Sequence, residues 1–233
     1  MANQNLTSKQ IYERDNLPYI YFLLRPMGRC LIPICIALNV SPNQVTTVSI
    51  LFSIFGIGLL IFDVVTLQLT SILLLHFALV LDMLDGDLAR KTNNTSQGGE
   101  FLDALGGYLR GGLFLPCMGI GLLSSTNPFI ENLSLVPQWA ICALGLTAGL
   151  SHFAGRLISL RYNILFEKPF RNDTGIISRI TLNFEDKMLP FMLIGILTGY
   201  LIIPFGLFSA YYIISGLYIM ISSYIQAIFI QTT

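Results

Sequence analysis

Six apolar stretches, at residues 44–62, 67–89, 99–123, 136–164, 188–203 and 205–229, constrain this chain more than any other feature. A helix needs about 20 such residues to cross the hydrocarbon core of a bilayer. Inside hydrocarbon every backbone polar group must be paired, which leaves helices or closed barrels. These stretches are continuous and show no period-two alternation, so they predict helices and not a barrel. A mean hydropathy of +0.69 over 233 residues also leaves too little polar surface for a water-facing globule. The expected fold is an all-α integral membrane protein, one domain over residues 1–233, with six transmembrane helices filling 44–229.

The basic residues orient that bundle. Lys9, Arg14, Arg25 and Arg29 precede the first span, Arg90 and Lys91 follow the second, and Arg156, Arg161, Lys168, Arg171, Arg179 and Lys187 surround the connection between the fourth and fifth. The three opposite connections, around 63–66, 124–135 and 204, carry none. Cytoplasmic loops hold the excess of Lys and Arg, so both termini are expected in the cytoplasm. Arg110 is the exception, well inside the third span, where an arginine must face protein or a wet cavity. It pairs there with an acid or holds a substrate phosphate.

Residues 1–43 read as a cytoplasmic N-terminus and an interfacial helix. The stretch 18–39, PYIYFLLRPMGRCLIPICIALN, is apolar but broken by Arg25, Pro26, Arg29 and Pro33. That pattern suits a helix lying in the membrane surface, its arginines toward lipid headgroups. Residues 1–16 lack the basic start and apolar core of a cleavable signal. In SPNQVTT, Ser41 is placed to cap and Pro42 to begin the next helix. Cys30, Cys35, Cys117 and Cys142 stand singly, without the spacing of a zinc site or a disulfide framework. No basic soluble module points to nucleic acid.

The chemistry is concentrated at residues 81–107, LDMLDGDLARKTNNTSQGGEFLDALGG. Asp82 and Asp85 are three residues apart, on one face of a helix. Asp103 follows from the start of the next span, so three carboxylates meet at the cytoplasmic end. Like charges near lipid need a cation, and oxygen ligands select Mg²⁺ or Mn²⁺. Such an ion is commonly shared with substrate phosphates. Gly86 and Ala89 let a bulky ligand approach the backbone, and Arg90 offers a fork for phosphate. The set suits substitution at phosphorus; the cation or proton path of a transporter is the other reading of clustered intramembrane acids.

The pattern Asp82-x2-Asp85-Gly86-x2-Ala89-Arg90-x8-Gly99-x3-Asp103 resembles the signature of the CDP-alcohol phosphotransferase (CDP-alcohol phosphatidyltransferase) family. SPNQVTT is also similar to a stretch common there. The resemblance implies six transmembrane helices behind an interfacial amphipathic helix, often as a homodimer. It implies Asp82, Asp85 and Asp103 as metal ligands, with Gly86, Ala89, Arg90 and Gly99 shaping the CDP site. The reaction implied is displacement of CMP from a CDP-alcohol donor by an acceptor hydroxyl. The product is a phosphodiester such as a phospholipid, with lipid on one side of the reaction. Chain size and simplicity suggest a bacterial inner membrane.

The family signature ends in one more aspartate, four residues after Asp103, which joins the metal site and is thought to deprotonate the acceptor. Gly107 stands there. Four readings follow: an introduced change, a silent relative that binds CDP compounds, a substitute base among Glu100, Asp87 and Tyr108, or an acceptor already ionised. The last draws on the fourth span, where Arg156 and Arg161 suit an anionic acceptor or, alternatively, anchor the helix to headgroups. His152, one turn before Arg156, reads as a packed core histidine.

Overall fold

The computed structural model describes residues 19–124, 137–166 and 184–231, and every regular element among them is helical. Residues 1–16 with Lys9 and Arg14, nearly all of the 124–135 connection, and residues 167–183 with Lys168, Arg171 and Arg179 lie outside the described residues. A helical turn, Ile20–Leu24, runs into α1 (Arg25–Ala37). Then come α2 (Pro42–Leu59), α3 (Val65–Thr92), α4 (Gln97–Gly121) with a short turn Leu122–Ser124, α5 (Gln138–Phe166), α6 (Phe184–Thr198) and α7 (Ile202–Gln231).

Helices α2 to α7 fall on the six apolar stretches, and four of them, α2, α3, α5 and α7, are long and apolar enough to cross a membrane. The other two differ for visible reasons. Helix α4 carries Glu100, Asp103 and Arg110. Helix α6 has 15 residues, about 22 Å at 1.5 Å per residue against a core of about 30 Å. At the other extreme α3 has 28 residues, which is about 42 Å. That leaves about 12 Å of helix beyond what a bilayer core needs.

The surface matches lipid as the solvent. Leu51, Phe55, Leu73, Leu150, Leu197, Leu207 and Ile214 are exposed, while Ser49 and Ser53 are fully buried. Ser49 Oγ donates to the Ala78 carbonyl at 2.8 Å, tying α2 to α3. With apolar groups on both sides of the protein boundary, helix association relies on close packing, and small residues provide it. At Gly149 a Cβ would run into the Gly112 carbonyl and the Pro116 ring, and at Gly145 it would stand 2.5 Å from the Leu115 carbonyl. So α5 lies backbone to backbone on α4. Helix α5 also packs on α7, α2 packs along α3 and α4, and α6 bridges α3 and α7.

Helix α1 lies on α3. A Cβ at Gly28 would be 3.1 Å from the Val80 carbonyl, and Ile32 joins Val45, Leu81, Leu84 and Leu88 in a small apolar cluster. Met27, Ile34 and Ile36 are exposed on the other side. Of the two arginines expected to point outward, Arg29 is exposed and Arg25 is not. Arg25 is only 2% exposed, and both Arg25 and Arg29 reach the Asp87 carboxylate at 3.1 Å. A charge-assisted bond to a half-buried acid holds them more firmly than a hydrated headgroup would.

Candidate active site

The turn between α3 and α4 positions the acidic residues. Asn93 closes α3 in the left-handed conformation, φ 53°, which asparagine tolerates better than most side chains. The Asn94 N–H donates to the Ala89 carbonyl at 3.0 Å. Ser96 then caps α4, its Oγ accepting from the Gly99 N–H at 3.0 Å. Only residues 93–96 separate the helices, so the end of α3 and the start of α4 stand side by side.

The third wall is the start of α2. Ser41 accepts from the Gln44 N–H while the Gln44 side chain accepts from the Ser41 N–H, with Pro42 in the first turn. Asn43 Nδ2 donates to Ser96 Oγ at 3.3 Å, joining the starts of α2 and α4. A Cβ at Gly99 would stand 2.7 Å from Asn43 Oδ1. A Cβ at 99 would therefore push the Asn43 side chain out of its place.

These ends enclose a cavity of about 580 Å³. Its lining comes from Pro42, Asn43 and Thr46 on α2, Asp85, Gly86, Ala89 and Arg90 on α3, Asn94, Thr95 and Ser96 in the turn, and Gln97, Gly99, Glu100 and Asp103 on α4. The structure thus brings Asp85, Gly86, Ala89, Arg90, Gly99 and Asp103 into one place. A Cβ at Gly86 would meet Arg90 at 3.5 Å, an ordinary contact. Packing does not demand glycine there; its absence of a side chain keeps open the surface across which Arg90 lies.

The acids of α3 are held in three different ways. Asp85, 6% exposed, accepts from Thr46 Oγ1 at 2.5 Å. The Asp82 and Asp103 carboxylates both act on it electrostatically. Asp87 is clasped by Arg25, Arg29 and Arg90. Asp82 accepts from Arg110 Nη2 at 2.8 Å, with both side chains mostly buried. That pair resolves the placement of Arg110: it faces an acid of the neighbouring helix.

Among the described residues no three acids, histidines or cysteines are gathered closely enough to hold a metal by themselves. Magnesium ordinarily takes one or two carboxylates and completes its shell with water and substrate phosphate. Asp85 and Asp103, lining one cavity, fit that donor set in kind.

Other predicted residues lie elsewhere. Arg156 sits over the Tyr108 ring, 5.7 Å from its centroid, and Arg161 is exposed; neither lines the cavity. His152 packs its ring against Tyr212, at 5.1 Å. Gly107 is half-buried on α4, one turn after Asp103. Reasoning from sequence missed Thr46 and Asn43 as parts of this end of the molecule, and placed Asp87 here without its three arginines. The signal for the first two was present in SPNQVTT, whose polar residues follow the helix-start signal at a helical spacing.

A family profile described as CDP-alcohol phosphatidyltransferase matches residues 39–222. No curated protein matches the chain.

Proposed function

The chain belongs to the CDP-alcohol phosphatidyltransferase family, and from that premise we propose that it transfers a substituted phosphate from a CDP-alcohol to an acceptor, releasing CMP. Family and apolar helices together make it an integral membrane protein, and membership supports a phosphotransferase role in phospholipid synthesis. The proposal extends to six spans, a cytoplasmic site in a bacterial inner membrane, and assembly as a homodimer. The observation that carries the reaction is the shared cavity. Asp85, Gly86, Ala89, Arg90, Gly99 and Asp103, spread over nineteen positions of sequence, meet around one space at the membrane edge.

In this reading Arg90 binds donor phosphate, Gly86 and Ala89 admit the nucleotide against α3, and Gly99 keeps the helix ends together. Asp85 and Asp103 would hold a magnesium or manganese ion, which offsets charge on the diphosphate and the leaving group. The acceptor oxygen forms a bond to the phosphorus that carries the alcohol. The bond from that phosphorus to the bridging oxygen breaks, and CMP departs with that oxygen.

The acceptor proton is the difficulty that Gly107 raises. Asp87 is a poor base because three arginines hold it, and Tyr108 lies under Arg156. Glu100 lines the cavity and is exposed, so it is the carboxylate placed to accept a proton from a hydroxyl. An anionic acceptor has no such proton to lose. Gly107 also supports a second reading, a silent relative that binds CDP compounds.

The test is Mg²⁺-dependent CMP release by the purified protein with a panel of CDP donors and neutral or anionic acceptors. Release with any pair establishes the reaction; release only with anionic acceptors assigns Gly107 to acceptor choice. Binding of CDP without release under every pairing overturns the transferase reading in favour of the silent one.

A further inference from the structure

The Asp82–Arg110 pair connects two departures of this chain. Arg110 follows Gly107 by three residues and Gly106 by four, on one helix. A long helical side chain lies back over the preceding turn, which brings the guanidinium of Arg110 beside Gly106. Its Nη1 would be 3.5 Å from a Cβ at Gly106, where Ile50 Cγ1 would stand at 3.3 Å. From there it crosses to α3 and donates to Asp82 at 2.8 Å, the side chains being 11% and 23% exposed. An aspartate at 107 would be spaced i, i+3 from Arg110 and would compete with Asp82 for it.

We infer that Arg110 is a built-in counter-ion that takes the place of a divalent cation at Asp82, an arrangement that Gly107, having no carboxylate, leaves uncontested. Asp85 and Asp103 then hold a single ion together with the substrate diphosphate. The charge argument is direct. Asp82 near the end of a membrane helix requires a positive partner, and a guanidinium tethered to α4 supplies one that does not dissociate. A fixed arginine also joins α3 to α4 whether or not metal is present. The inference rests on the site proposed above but concerns how many ions that site takes.

The test is a titration of the purified full chain with MnCl2, following free Mn²⁺ by electron paramagnetic resonance, with and without CDP as the diphosphate probe. The chain as it stands is expected to bind one Mn²⁺ in the presence of CDP. Arg110→Gln frees Asp82, and Gly107→Asp adds a ligand that draws Arg110 away; each is expected to raise the count to two. The double variant Asp82→Asn with Arg110→Gln, a neutral pair able to hydrogen-bond, is expected to keep the single ion with less than a threefold change in affinity. Two ions, or none, on the unaltered chain overturn the inference. So does a tenfold weaker ion in the double variant, or an unchanged count in both single variants. One ion bound without any CMP release would leave this pairing standing and sink the transferase reading. Two ions with CMP release would do the reverse.

Discussion

Asp87 and Asp85, two residues apart on α3, have opposite surroundings. Asp87 is gripped by Arg25, Arg29 and Arg90, so its charge is spent inside the protein on holding α1 to α3. Asp85 is bonded to a neutral hydroxyl, Thr46, and faces a cavity it shares with Asp103 and Arg90. Asp82 follows the pattern of Asp87, cancelled by Arg110. The difference separates acids that stabilise the structure from acids whose charge remains for a ligand. A count of carboxylates in the motif cannot make that separation.

Asp85→Asn tests the contrast most severely. The amide still accepts from Thr46, so the melting temperature in detergent is expected to stay within a few degrees, while CMP release falls by about 10² to 10³-fold, the scale of a lost electrostatic stabiliser. Retained turnover, or a collapse of the fold, would move Asp85 into the structural group. Asp87→Asn should do the opposite. It removes the charge that Arg25 and Arg29 both reach, at a cost of about 3 kcal/mol, read as a lowered midpoint in thermal unfolding. Its folded fraction should lose far less turnover than Asp85→Asn.

Two glycines refine the picture. Gly99→Ala places a Cβ 2.7 Å from Asn43 Oδ1, so the Asn43–Ser96 bond breaks and about 1 kcal/mol is lost. Thermal unfolding and the donor KM are expected to worsen together. Gly86→Ala meets nothing closer than 3.5 Å, and alanine favours the helix by up to about 1 kcal/mol. Stability should hold or rise slightly while the donor KM increases a few-fold. A stability loss at 86 would mean that glycine there serves packing and not ligand access.

Local patterns in the sequence carried much of this. Hydropathy placed α2 to α7 to within a few residues, Ser41 and Pro42 marked the start of α2, and the depth of Arg110 required a protein-facing partner. The two motif helices and their short turn also followed from spacing. Long-range pairs did not. Thr46 meets Asp85 across 39 residues and Arg25 meets Asp87 across 62, and nothing local to either residue specifies its partner. Helix ends limited the reading too: α6, a helix of 15 residues, stops before its stretch does because the chain turns at Gly199, φ 78°. Arg156 was expected near the acids because it lies at the same end of the bundle, but shared depth does not make shared direction, and its guanidinium settles over Tyr108.

The clasp on Asp87 also imposes an order of assembly. Helix α1 is made before α3, and the acid that Arg25 reaches comes 62 residues after it, at the far end of α3. Until the end of α3 lies beside α1, Arg25 lacks this carboxylate. Helix α1 is thus seated only once α3 is complete, with four helices of the bundle still to follow.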